Sequence, residues 1–266
     1  MPPSPPAPRG ARRRALRRYV SPLLLIALWQ AAAMAGLISP RTLAAPSAIM
    51  AAAWDLSVTG ALPYHLLVSL ARVAAGLAIG LGTGTGLGLV AGLSRNGEDA
   101  VDAPLQMLRT LPFLGLVPLF ILWFGIGETP KIALIALGTT FPIYLNLFAG
   151  IRGVDRRLVE AAQVFGLDRR GQIRHVILPG ALPSALVGLR YAVGVGLLSL
   201  VVAEQINADA GIGFLINDAR DFLRTDVIVV CLLVYALLGL VADALVRVLE
   251  RRALRGRPTL LAGSAV

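Results

Sequence analysis

Apolar runs long enough to cross a bilayer recur along this 266-residue chain, and no other feature narrows its fold as far. A helix needs about 20 residues to cross roughly 30 Å of hydrocarbon. Stretches near that length occupy residues 19–38, 65–93, 104–127, 131–150, 184–206 and 227–246. The pattern predicts an all-α, polytopic membrane protein with about six transmembrane helices. Composition agrees, at 56% hydrophobic and 15% charged residues, where a soluble domain carries about 25% charged.

The formal charge of +10 raises the question of nucleic acid, but the basic residues flank the apolar runs instead of sharing a face. Six spans put both termini on one side. With that side cytoplasmic, the inner segments hold six basic residues (9–18), two (Arg95, Arg109), seven (Arg152–Arg190) and five (Arg247–Arg257). The outer segments hold four (Arg41, Lys131, Arg220, Arg224), and Arg72 lies within a span. The bias of basic residues toward the cytoplasm therefore predicts cytoplasmic termini and no nucleic-acid partner. Lone Cys231 and the separated His65 and His175 offer neither a disulfide nor a metal site.

Residues 1–18 are Pro-rich, then Arg-rich, and read as a disordered basic tail. The transmembrane domain is expected over 19–250, and 251–266 form a cytoplasmic tail. The first apolar run exceeds a signal peptide's usual core and is followed by more spans, so it reads as an uncleaved helix. Residues 39–63 suit a short surface helix. In the second span Gly76, Gly80, Gly84, Gly88 and Gly92 recur at every fourth position. That stripe lets another helix approach closely, and its spacing is not that of a phosphate loop. A polar link at 94–102 precedes a helix starting near Pro104, with kinks expected at Pro112 and Pro118.

No nucleophile elbow, zinc-binding pair or acid–base pair is present, so no catalytic residue is assigned. A P-loop needs a lysine after glycine, whereas Lys131 follows Pro130 and precedes Ile132. Energy for moving a solute must come from an ion gradient or from a partner. Carriers driven by gradients keep ionisable groups within their spans, and here such groups are few. Arg72, Asn146 and Glu204 are the candidates for a translocation pathway.

Between the fourth and fifth spans the chain turns helical and basic. Leu158, Ala161, Ala162 and Phe165 share one face of a helix over 155–165. Gly166 suits its C-terminal stop, and Asp168 the N-cap of a second helix through His175. Leu178, Pro179 and Pro183 are expected to break the chain before the next span.

This stretch resembles the EAA loop of ABC-importer permease subunits, in the form Glu160-Ala161-Ala162, Gly166, Val176, Leu178-Pro179. Valine replaces the family's isoleucine at 176. The segments LRTLPFLGLVPLFILWFGIGETPKIALIALGTTFPIYLN and VVAEQINADAGIGFLINDARDFLRTDVIVV resemble the nitrate/sulfonate/taurine branch, most closely its aliphatic sulfonate permeases. The resemblance implies a type I (MetI-like) importer fold in a bacterial inner membrane, with no cofactor. It implies a coupling loop at 152–183 whose Glu160, Ala161, Ala162, Gly166, Val176, Leu178 and Pro179 shape contact with a cytoplasmic ATPase dimer. Further implied partners are an extracytoplasmic substrate-binding protein, a second permease subunit, commonly an identical one, and membrane lipid. The solute implied is a small anion, foremost an aliphatic sulfonate, with taurine, nitrate or another small solute as alternatives. From the residues alone, a gradient-driven carrier, a membrane enzyme and a membrane scaffold stay open.

Overall fold

The structure is a computed structural model that describes residues 10–206 and 208–254. Its regular elements among those residues are helices: α1 (Gly10–Met34), α2 (Pro46–Val58), α3 (Ala61–Leu93), α4 (Arg95–Thr110), α5 (Phe113–Phe124), α6 (Glu128–Arg152), α7 (Arg156–Val164), α8 (Arg169–Gln172), α9 (Leu178–Glu204), α10 (Ile212–Asp221) and α11 (Thr225–Ala253). Among the described residues, four helices are long and apolar enough to cross a membrane: α3, α6, the continuous helix Arg169–Glu204, and α11. The pair α4 and α5, bent by 112°, makes a fifth if taken together, and the apolar part of α1, Val20–Met34, is shorter.

The chain divides into two compact units. One runs to Leu62 and includes Leu215–Leu232; the other comprises Pro63–Phe214 and the chain from Leu233. In the first, α1 and α2 are joined through Gln30 and Ser47, and Thr225 donates to the Pro40 carbonyl at 2.6 Å. α1 takes in Gly10–Arg18, part of the expected tail. The five prolines at 2–8 all precede it, and the Ala/Arg run that follows favours helix. Residues 1–9 and 255–266 of the expected tails lie outside the described residues.

The second unit is organised by the glycine stripe. Gly76, Gly80, Gly84, Gly88 and Gly92 face Ile135, Thr139, Ile143, Leu147 and Ile151 of α6 in that order. Both series climb by four, so α3 and α6 run parallel and almost touch. Thr140 reaches across to hydrogen-bond Thr83 at 2.9 Å. Two parallel neighbours require the chain to return between them, and the bent α4–α5 pair makes that return. α9 packs antiparallel on the other side of α6, Gly138 meeting Ser199, Gly188 meeting Asn146 and Gly150 meeting Ser184.

Two boundaries differ from the expectations. The polar stretch 94–102 is the start of α4, capped by Ser94 accepting from the Gly97 N–H at 3.0 Å, so Pro104 lies inside the helix. Its polar side is tied down by Tyr144, whose hydroxyl donates to Asp102 at 2.9 Å. Pro179 and Pro183 do not break the chain. A π-helical turn at Ile173–Ile177 shifts the hydrogen-bond ladder by one residue, which accommodates the missing Pro179 N–H, and one helix continues to Glu204. Between the expected fifth and sixth spans lies α10.

A Cβ on Gly80 would lie 2.5 Å from the Ala136 carbonyl oxygen and closer still to the Thr139 hydroxyl, whereas one on Gly82 meets open space. Gly80→Ala should therefore lower the stability of the detergent-solubilised protein by about 1–3 kcal/mol, as overpacking does. Gly82→Ala should raise it by roughly 0.5–1 kcal/mol through helix propensity. Thermal unfolding of the two variants checks this.

Candidate functional site

Three features of the second unit carry functional residues. The first is the α7–α8 element at the end of α3. Asp155 caps α7 by accepting from the Arg157 N–H at 2.9 Å. Gly166, at φ +81°, closes it: Gly166 N–H bonds the Gln163 carbonyl and Leu167 N–H the Ala162 carbonyl, both at 3.0 Å. That is a Schellman stop, in which a left-handed residue turns the chain while satisfying the last carbonyls. Asp168 then accepts from the Gly171 N–H at 2.8 Å and starts the next helix. Arginines fasten the element and the end of α6 to α3. Arg169 donates to the Leu93 carbonyl at 2.9 Å, and Arg152 to those of Ala91 and Ser94 at 3.2 and 3.3 Å and to Glu98. Cations suit these carbonyls, which form the negative end of the α3 dipole.

The expected apolar face of α7 divides in two. Ala162 is buried within the chain, at 8% exposure, while Leu158, Ala161, Val164 and Phe165 point outward, Phe165 at 84%. Glu160 is exposed and, with Arg152, Arg156 and Arg169, borders a cavity of about 330 Å³. Val176 and Pro179 are half-buried and Leu178 exposed around the π-helical turn.

The second feature lies at the opposite end of the unit. Arg72 and Glu204, expected along a pathway, are 132 residues apart and bonded to each other at 2.8 Å. Glu204 is fully buried. It also accepts from Ser69 at 2.7 and 2.8 Å, from the Gly213 N–H at 3.0 Å and from Tyr235 at 3.0 Å. Arg72 turns its other edge to Glu128 in a bidentate pair at 2.5 and 2.6 Å, and donates to the Ala210 carbonyl at 2.5 Å. Lys131 adds a contact to Glu128 at 3.3 Å. Glu204's carboxylate and Ala210 thus hold the link after α9 against α3, and His65 accepts from the Gly211 N–H at 3.0 Å. Sequence reading missed this set because its members come from four distant segments. Asn146 is apart from it, donating to the Pro142 carbonyl at 2.8 Å with its Cβ against Gly188.

The third feature is a cleft of about 380 Å³ between α4–α5, α6 and α9, lined by Leu116, Leu137, Phe141, Val195 and Leu198 with Arg109 and Ser199 as its polar members. None of Arg72, Asn146 and Glu204 lines it.

With this geometry in place, comparison with known proteins assigns the class. The chain belongs to the family of binding-protein-dependent transport system inner membrane components, which matches residues 84–255. It is a multi-pass membrane protein and the permease subunit of an ABC importer, in which ATP hydrolysis belongs to a separate, catalytic subunit. It is 52% identical over 237 residues to an Escherichia coli (strain K12) protein named for aliphatic sulfonates transport, the permease SsuC, covering 89% of this chain and 90% of that protein. The taurine transport system permease protein TauC of the same strain is 36% identical, covering 86% and 85%. Among solved structures, an amino acid ABC transporter crystallised with histidines shares the fold at TM-score 0.64 and 20% identity, covering 74% of this chain and 96% of that one. The MetNI methionine ABC transporter does so at 0.55 and 18%, covering 68% and 92%.

Removing one partner of a buried charge set strands the others. Glu204→Ala should cost roughly 3–5 kcal/mol, while Glu128→Gln, at a side chain 54% exposed, should cost about 1 kcal/mol or less. Chemical denaturation of the two variants in detergent measures both.

Proposed function

We propose that this permease carries aliphatic sulfonates inward, coupled to its ATPase through the outward face of α7. The observation that carries the coupling is the exposed set Leu158, Ala161, Val164 and Phe165, on an element that Arg169 fixes to α3 and that follows directly on the end of α6, itself held to α3 by Arg152. Large apolar side chains left in water on a short, rigid, polar-flanked helix mark a binding surface. In this reading Glu160, Ala161 and Gly166 form and orient the docking element. Ala162 seats it on the chain, and Val176, Leu178 and Pro179 join it to the long helix ending at Glu204. Motion imposed on α7 then passes directly into a span.

The arginine bias supports cytoplasmic placement of α7 and of both termini. A substrate-binding protein delivers the solute at the opposite face, and a second copy of the permease completes the path. We place that path along the cleft beside Phe141 and Ser199. Arg72 and Glu204 secure its outer end, and Asn146 packs where α6 crosses α9. The sulfonate assignment rests on the higher identity to SsuC than to TauC, 52% against 36%. Taurine and nitrate are the competing solutes.

Phe165→Asp should weaken ATPase association by roughly 2–4 kcal/mol, as loss of an aromatic anchor does, and leave the fold intact. Ala162→Trp should instead destabilise the permease itself. Co-purification of the ATPase and thermal unfolding separate the two outcomes; equal association by Phe165→Asp and wild type would refute the docking assignment. For the solute, titration calorimetry on the cognate binding protein should show alkanesulfonates binding at least about tenfold, or 1.4 kcal/mol, better than taurine or nitrate.

A further inference from the structure

In the first unit, α2 is apolar on two opposite faces. Ile49, Ala52 and Leu56 are buried within the chain. On the other side Met50, Ala51, Trp54 and Val58 are exposed, Trp54 at 74%, and the helix carries one charged residue, Asp55. A helix of 13 residues is only ~20 Å long and cannot cross a bilayer.

Two sets of hydrogen bonds fix its level. The Gln30 side chain, four residues before the end of α1, grips Ser47 in both directions: its amide N–H donates to the Ser47 hydroxyl and its oxygen accepts the Ser47 N–H, each at 3.0 Å. The first turn of α2 is thus satisfied by a side chain of α1. Thr225, the first residue of α11, donates to Pro40 in the connection leading to α2. α2 therefore sits where α1 ends and where α11, long and apolar enough to span, begins, and a span begins at a membrane boundary. The surface it joins is likewise apolar and exposed: α1 exposes Leu23, Leu24, Leu25 and Leu28, and the exposed apolar series continues through Met34 and Leu37.

We propose that α2 is an interfacial anchor, its Met50–Trp54–Val58 face immersed in the lipid of the leaflet at the α1 C-terminal end. A tryptophan is suited to that depth, its ring apolar and its N–H free to meet headgroups, and a short apolar face is buried there by roughly 5–10 Å. The competing occupant is a docked protein, and its polar rim would find Asp55 as the one charged partner on the helix.

The test uses the full permease in liposomes with Trp29→Phe and Trp123→Phe, leaving Trp54 as the sole tryptophan. Bromines high on the acyl chains should quench Trp54 about twofold more than bromines near the bilayer centre, as for a ring roughly 5–10 Å into the boundary. Aqueous iodide should quench it little. Met50→Cys should react slowly with a membrane-impermeant maleimide until detergent is added. Strong iodide quenching with no effect of either brominated lipid, together with fast maleimide reaction, would overturn the proposal. Suppression of that quenching by added binding protein would assign the face to a docked protein instead.

Discussion

The close approach of α3 to α6 is the contact on which the second unit depends. Five glycines spaced by four present bare backbone to five α6 residues with the same spacing, and no side chain larger than hydrogen fits at Gly76, Gly80 or Gly84. Between helices in lipid the solvent supplies no hydrophobic drive, so close packing and hydrogen bonds across the contact must supply the affinity. The contact also dictates topology, since two parallel neighbours oblige α4 and α5 to bring the chain back. Both ends of the pair are then fastened, by Arg72 and Glu128 at the start of α6 and by Arg152 at its end. A rod fixed at both ends suits an importer in which force applied at one face must be felt at the other.

The buried charges do a different task from packing. Glu204 and Arg72 each lose their water on folding, and such sets do not reliably add net stability over apolar replacements. What they supply is a unique geometry. Glu204 accepts from three side chains and one backbone N–H, and only one placement of the link after α9 satisfies all of them. The polar residues most suggestive of solute contact are in this way committed to one another, and the open cleft is lined chiefly by apolar side chains.

Local rules carried much of this. The glycine stripe, the stop at Gly166 and the cap at Asp168 were legible because each is a short-range pattern with a fixed geometric consequence. The helical class followed from span length. What was not legible depended on distant partners. Arg72 and Glu204 read as lone intramembrane charges until the fold set them side by side. Ala161 and Ala162 are adjacent in sequence, and only the position of the chain beneath α7 shows that one faces out and the other in. Pro179 and Pro183 predicted a break because proline removes a donor, yet a π-helical turn absorbed the defect. Asp102 made 94–102 look like a linker until Tyr144 showed it to be the polar side of a helix.

The central claim is that a motor outside the chain drives transport through it. Uptake of a labelled alkanesulfonate into liposomes holding the permease, its ATPase and its binding protein measures this directly. The account predicts uptake that requires ATP and all three components and persists when ionophores collapse every ion gradient. Uptake by the permease alone that follows an imposed ion gradient and ignores ATP would contradict it.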